Sequence, residues 1–116
     1  MTTEKRVQAD IRIALGQLPH VLIQRRNVGT FYTRNSTPIK VGHPGEPDLQ
    51  GVIGDQKCPN CDHPIHPKPF GIEVKGAAGR LRIKQKMYRD HVAKRLGIIY
   101  IMAKSVETVL EELGLK

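Results

Sequence analysis

The chain has no tryptophan, and its aromatic residues are three tyrosines and two phenylalanines among 116 positions. That scarcity argues against a surface that binds single strands by stacking bases on rings. Long apolar runs are missing too. The longest candidate, "GIIYIMA", falls far short of the ~20 residues that span a bilayer and has the length of a buried strand. The opening "MTTEKRVQAD" lacks the apolar centre of a secretory signal. The expectation is a soluble, cytoplasmic protein with no membrane partner. Cysteine is confined to Cys58 and Cys61, which in a reducing compartment read as thiols or metal ligands before they read as a disulfide. Acidic residues are also few, 11 against 19 Lys and Arg, leaving a formal charge of +8. Such a charge favours polyanionic partners, nucleic acid first, because neutralised phosphates release condensed counterions. Taken alone, it fits a merely soluble basic protein equally well.

The length suits one domain, residues 1–116, around a single modest core. From Thr3 to Leu18, Val7, Ile11, Ala14, Leu15 and Leu18 recur at helical spacing, with Thr2 or Thr3 as cap and Glu4 and Gln8 beside the apolar stripe. "HVLIQRRNV" predicts a strand closing at Gly29, followed by a loop through Gly42, Pro44, Gly45 and Pro47. "DLQGVIG" and "FGIEVKG" predict two further strands, separated by an insert at about 55–69 too rich in Pro, Cys and His to be sheet. Leu81 to Leu96 returns to helical period, with Leu81, Gln85, Tyr88, Val92 and Leu96 on the inner face and Arg82, Lys86 and Arg89 on its flank. "GIIYIM" predicts a buried fourth strand, and "SVETVLEELG" a capped terminal helix. The order α-β-β-β-α-β-α describes an α/β sandwich with a small mixed central sheet flanked by helices.

Alternate side chains of a strand share a face, so Glu73 and Lys75 of "IEVK" project together while Ile72 and Val74 pack. Asp48 opens the neighbouring strand after a Gly/Pro-rich turn. Two carboxylates on adjacent strands, with the backbone carbonyl of Val74, can hold a hard divalent cation such as Mg²⁺. Lys75 beside them can position or help deprotonate an attacking water, or neutralise a phosphate. The competing reading is a surface Glu–Lys pair with an unrelated Asp in a turn.

"GEPDL" and "IEVKG" together resemble the PD-(D/E)XK nuclease motif. Within that superfamily the chain is similar to the virus-type replication-repair nuclease (VRR-NUC) branch. Glu4, Gln8, Ile11 and Leu15, then Arg26, Asn27 and Gly29, then Gly45, Pro47 and Asp48, then Glu73, Val74 and Lys75, then Leu81 and Gln85 carry the resemblance. It implies a restriction-endonuclease-like fold in which Asp48 and Glu73 bind Mg²⁺ or Mn²⁺ and Lys75 serves the water. It further implies that Glu4 adds a carboxylate from the first helix and that Gln85 orients the lysine or a phosphate. The implied activity is a DNA endonuclease acting on branched replication or recombination intermediates such as Holliday junctions. A phage or prophage protein working as a homodimer is the implied setting. Arg82 departs from the pattern, standing where the family usually has a small hydroxyl residue, so that helix start needs another cap. Glu46 reads as a solvated turn residue beside the motif.

Cys58, Cys61, His63 and His66 offer four tetrahedral ligands within nine residues, tighter than paired zinc knuckles usually are. Structural zinc held by both cysteines and at least one histidine, zinc shared with another chain, and an unmetallated polar loop all remain open. Arg26, Arg80, Arg82, Lys86 and Arg89, with Arg25, Arg34, Lys40 and Lys84, suit contacts to the DNA backbone, which position without reading sequence. The alternative to a nuclease is a non-catalytic, zinc-organised nucleic-acid-binding module.

Overall fold

A computed structural model of the chain describes residues 3–26, 29–41, 45–54 and 67–115. In chain order the elements are α1 (Glu4–Gly16), β1 (Val21–Arg25), β2 (Gly29–Tyr32), β3 (Pro38–Val41), β4 (Leu49–Ile53) and β5 (Lys68–Val74). Then come α2 (Ile83–Tyr88), which runs through a π-helical turn (Arg89–Ala93) into α3 (Lys94–Leu96), β6 (Ile99–Ala103) and α4 (Val106–Glu112). Four strands form a mixed sheet in the order β1-β4-β5-β6, antiparallel except for the parallel β5–β6 pair. The class is α/β, and with the β2–β3 hairpin set aside the order is α-β-β-β-α(α)-β-α. No described helix is long and apolar enough to cross a membrane.

One face of the sheet is apolar because β5 alternates. Phe70, Ile72 and Val74 point into a core with Leu49, Ile101 and Ala103, closed by Val7, Ile11 and Leu15 of α1 and Val109 of α4. Each fully buried aliphatic side chain contributes about 2 kcal/mol of transfer free energy. Thr3 starts α1 by accepting the Arg6 amide at Oγ1, 3.2 Å away, and Ser105 caps α4 through the Thr108 amide. The other face of the same strands carries polar groups and receives the α2 end of the second helix.

Three departures from the sequence reading have physical causes. The segment after β1, expected to be loop, forms the β2–β3 hairpin, whose strands pair with each other and not with the main sheet. The second helix begins at Ile83, so Leu81 lies in the approach to it. Leu96, expected inside, is 70% exposed. The π turn adds a residue to the helical repeat and rotates everything after it, so the inner stripe ends at Val92 and Ala93.

Two glycines fix the approach of β4 to the site. Gly45 has φ +81°, and a Cβ there would run into the backbone carbonyl of Lys84 in α2. Gly71 lies under the ring of buried Pro47, which a Cβ would strike. Gly71→Ala should therefore lower stability by about 1–3 kcal/mol, as overpacking does in a filled interior. Urea unfolding measures this, and an unchanged midpoint would mean that Pro47 is free to move away.

Candidate functional site

Glu73 and Lys75 leave β5 on the face opposite the core, as the two-residue period requires. Both are nearly covered, Glu73 at 3% and Lys75 at 8% exposure, and Lys75 Nζ lies 3.5 Å from Glu73 Oε1. Because Leu49 pairs with Ile72, Asp48 at the head of β4 falls beside this pair, and its Oδ2 accepts the Val74 amide at 3.2 Å. The backbone contact made by Val74 to the acidic pair is thus through its N–H. Lys75 is anchored in turn by its amide, which donates to the Ala103 carbonyl at 2.9 Å.

Gln85 joins the helix to this group. Its Nε2 donates to Glu73 Oε1 at 2.7 Å, and its Oε1 accepts the Arg82 amide at 2.8 Å. Arginine's side chain has no acceptor, so Gln85 supplies the cap that Arg82 cannot. Gln85 lies on the inner face, as the helical period places it, but it steadies the carboxylate where the resemblance implied the lysine or a phosphate.

Glu73 is out of balance electrostatically. Burial, and then the negative charge of Asp48, push its carboxyl up to about 7 against the opposing pull of Lys75. Its Oε2 is buried without a hydrogen-bond partner. Tyr100 Oη is a second buried atom with no partner, and burial followed by the Glu73 charge raises that phenol. The register pairs Tyr100 with Gly71 and Met102 with Glu73, so Tyr100 stands on the face of Glu73. Alternation along "IIYIMA" could have placed it there from sequence.

Asp48, Glu73 and Gln85 open on a cleft of about 470 Å³ lined also by Glu46, Arg82 and Lys84, among others. Glu46 is a correction to the sequence reading. It is not a solvated turn residue: its side chain is 10% exposed, takes the Gln50 amide at 2.5 Å and pairs with Arg26 at 3.3 Å. The left-handed Gly45 and buried Pro47 on either side turn it inward. Among the basic residues assigned to DNA, Arg80, Arg82 and Lys86 are exposed, Arg26 is engaged by Glu46, and Arg89 by Asp90 at 2.9 Å. Glu4 sits exposed in the first turn of α1 and is not among the cleft-lining residues; nor is Lys75, which stands behind Glu73. Asn27, Cys58, Cys61, His63 and His66 lie outside the described residues.

The donors suit a hard cation. Asp48 and Glu73 present carboxylate oxygens on adjacent strands, and the unpartnered Oε2 is a buried acceptor that a cation would satisfy. Among the described residues no cluster of three or more His, Cys, Asp or Glu forms. A two-carboxylate site suits Mg²⁺, which keeps several of its waters. Compared with protein-family models, with characterised proteins and with solved structures, the chain finds no match.

The Glu73 shift has a defined sign. A carboxyl that ionises near 4.5 when unfolded and at about 7 when folded takes up a proton on folding between those values. Its contribution is therefore complete below about pH 4.5 and is lost as pH rises through about 7. In chelator, the stability of the parent should fall across this window by up to about 1.4 kcal/mol per pH unit more than that of Glu73→Gln. Parallel urea-unfolding profiles for the two proteins would mean that Glu73 is ionised throughout.

Proposed function

We propose that the chain is a divalent-metal-dependent DNA endonuclease of the VRR-NUC type, built on a restriction-endonuclease-like fold and cutting branched DNA such as four-way junctions. The observation that carries this reading is a buried carboxylate with an unpartnered oxygen, Glu73 Oε2, set beside Asp48 with an ammonium 3.5 Å from its other oxygen. A structural Glu–Lys surface pair would be solvated, whereas both members of this pair are nearly covered. Asp48, Glu73 and the Val74 carbonyl would hold Mg²⁺ or Mn²⁺. When bound, the ion lowers the pKa of a coordinated water and stabilises charge on the scissile phosphate and leaving oxygen.

The remaining work falls to the chain's own groups. Gln85 and Lys75 both engage Oε1 of Glu73, which keeps Oε2 available as a ligand. Lys75, whose ammonium lies 3.5 Å from Glu73 Oε1, would hold a water by hydrogen bond or offset phosphate charge. Exposed Arg80, Arg82, Lys84 and Lys86 run from the approach to α2 along its first turns and supply contacts to the DNA backbone. Cutting both strands of a junction symmetrically calls for two such sites related by a two-fold axis, hence a homodimer. Cytoplasmic action, on the DNA of a phage or its host, belongs to the same proposal. So does structural zinc on Cys58, Cys61 and one or both of His63 and His66, with no open position for catalysis.

The deciding experiment incubates labelled four-way junction, flap and linear duplex with Mg²⁺ or Mn²⁺. The parent should cleave the branched substrates. Lys75→Ala and Asp48→Asn should each lose cleavage by a factor on the order of 10³ while retaining junction binding in chelator. Binding without cleavage by the parent in either ion would select the non-catalytic module.

A further inference from the structure

None of the described residues of the β2–β3 hairpin is among those lining the cleft described above. Its strands pair with each other and not with the main sheet. The turn at its end is nonetheless well built. The Thr33 amide donates to the Thr37 carbonyl and the Ser36 amide to the Thr33 carbonyl, both at 2.9 Å, and the Thr37 amide reaches Thr33 Oγ1 at 3.1 Å. Ser36, at φ 63°, takes the left-handed position that closes such turns. Thr33, Arg34, Asn35 and Thr37 are exposed, and Tyr32 is 70% exposed.

Position and charge say what such an arm would meet. The chain leaves for the hairpin after Arg26 and returns at Gly45, and both ends are tied at the cleft. The Arg26 amide donates to the Asp48 carbonyl at 2.7 Å, and the Arg26 guanidinium pairs with Glu46 at 3.3 Å. From Ile11 to Gly45 the sequence contains no Asp or Glu, yet it includes Arg12, Arg25, Arg26, Arg34 and Lys40. A self-paired ribbon without carboxylates, rooted at the rim of a cleft that takes a polyanion, is matched to that polyanion. A two-stranded ribbon also fits the major groove of a duplex.

We propose that this hairpin is a DNA-binding arm that engages the duplex flanking the cleft, with Arg34 at its tip contacting a backbone phosphate. The inference rests on the reading of the substrate as DNA and names a surface that reading does not require. A second copy of the chain is a poorer occupant, because two carboxylate-free cationic tips repel each other and the tip, Thr-Arg-Asn-Ser-Thr, offers no apolar patch.

Two variants test it: Arg34→Ala, and replacement of residues 33–37 by Asn-Gly, a two-residue turn suited to the register pair Tyr32 and Pro38. Binding of labelled duplex and four-way junction is measured in chelator across a salt series, with molecular mass by light scattering and folding by circular dichroism. Arg34→Ala should bind about three- to tenfold more weakly, with a log–log salt slope shallower by about one. The shortened arm should weaken binding further at unchanged mass. In the cleavage assay both variants should raise KM and leave kcat at saturating DNA unchanged. Parent-like affinity and slope, loss of a dimer in the shortened variant, or a parent that binds no DNA would each overturn the arm. A parent that binds through the arm but never cleaves would leave it standing while removing the nuclease.

Discussion

The burial of Glu73 is the constraint around which the rest of the molecule is arranged. Taking a carboxylate out of water costs several kcal/mol, and a well-packed aliphatic residue in the middle of a sheet would avoid that cost. Lys75 and Gln85 offset part of it, yet both act on Oε1, and the carboxyl still holds its proton up to about pH 7. A carboxyl so buried stays in place only if its neighbours cannot relax away. The lysine is held by its own amide to Ala103 and by the Gly76–Gly79 turn, in which Gly79 packs close on its Cβ. A position that is poor for stability is thereby made stiff, as an electrostatic site in a low-dielectric pocket needs to be.

The same stiffness couples the sheet to the second helix. Gln85 has two partners in different elements, so the start of α2 and the orientation of Glu73 are set by one side chain. Gly45 brings the turn before β4 against the carbonyl of Lys84, and Pro47 seats on Gly71 of β5. Asp48 is therefore positioned from three directions: by the turn against the helix, by the proline on the neighbouring strand, and by its own bond to the Val74 amide. The cleft between β4 and α2 is a consequence of these contacts.

Much of this could be read from sequence because it follows short-range periodicity. The two-residue repeat of "IEVK" put Glu73 and Lys75 together, and the helical repeat put Gln85 and Tyr88 inward. What could not be read depends on interactions without a local signature. "GTFY" and "PIKV" are only four residues each and the second begins with proline, so nothing in their patterning distinguishes a self-contained hairpin from a loop. The π turn has no composition of its own, and by adding a residue to the repeat it sent Leu96 to the surface. Glu46 looked like any charged turn residue. Its burial comes from Gly45 and Pro47 acting through contacts with elements far along the chain.

The Arg26–Glu46 and Arg89–Asp90 ion pairs show why basic residues cannot be treated alike. Arg89 and Asp90 are both substantially exposed, and pairs of that kind contribute between nothing and about 1 kcal/mol, so the guanidinium can exchange a neighbouring carboxylate for a phosphate at small cost. Arg26 differs because its partner Glu46 is nearly covered. Transferring Arg26 to a phosphate would leave a largely desolvated carboxylate with less compensation, beside a cleft that already contains Asp48 and Glu73. Arg26 is therefore better suited to fastening the base of the hairpin than to carrying DNA. The exposed positive charge beside the cleft then lies with Arg80, Arg82, Lys84 and Lys86 at the start of α2 and its approach, whose side chains can meet an anion without disturbing the Arg26–Glu46 pair.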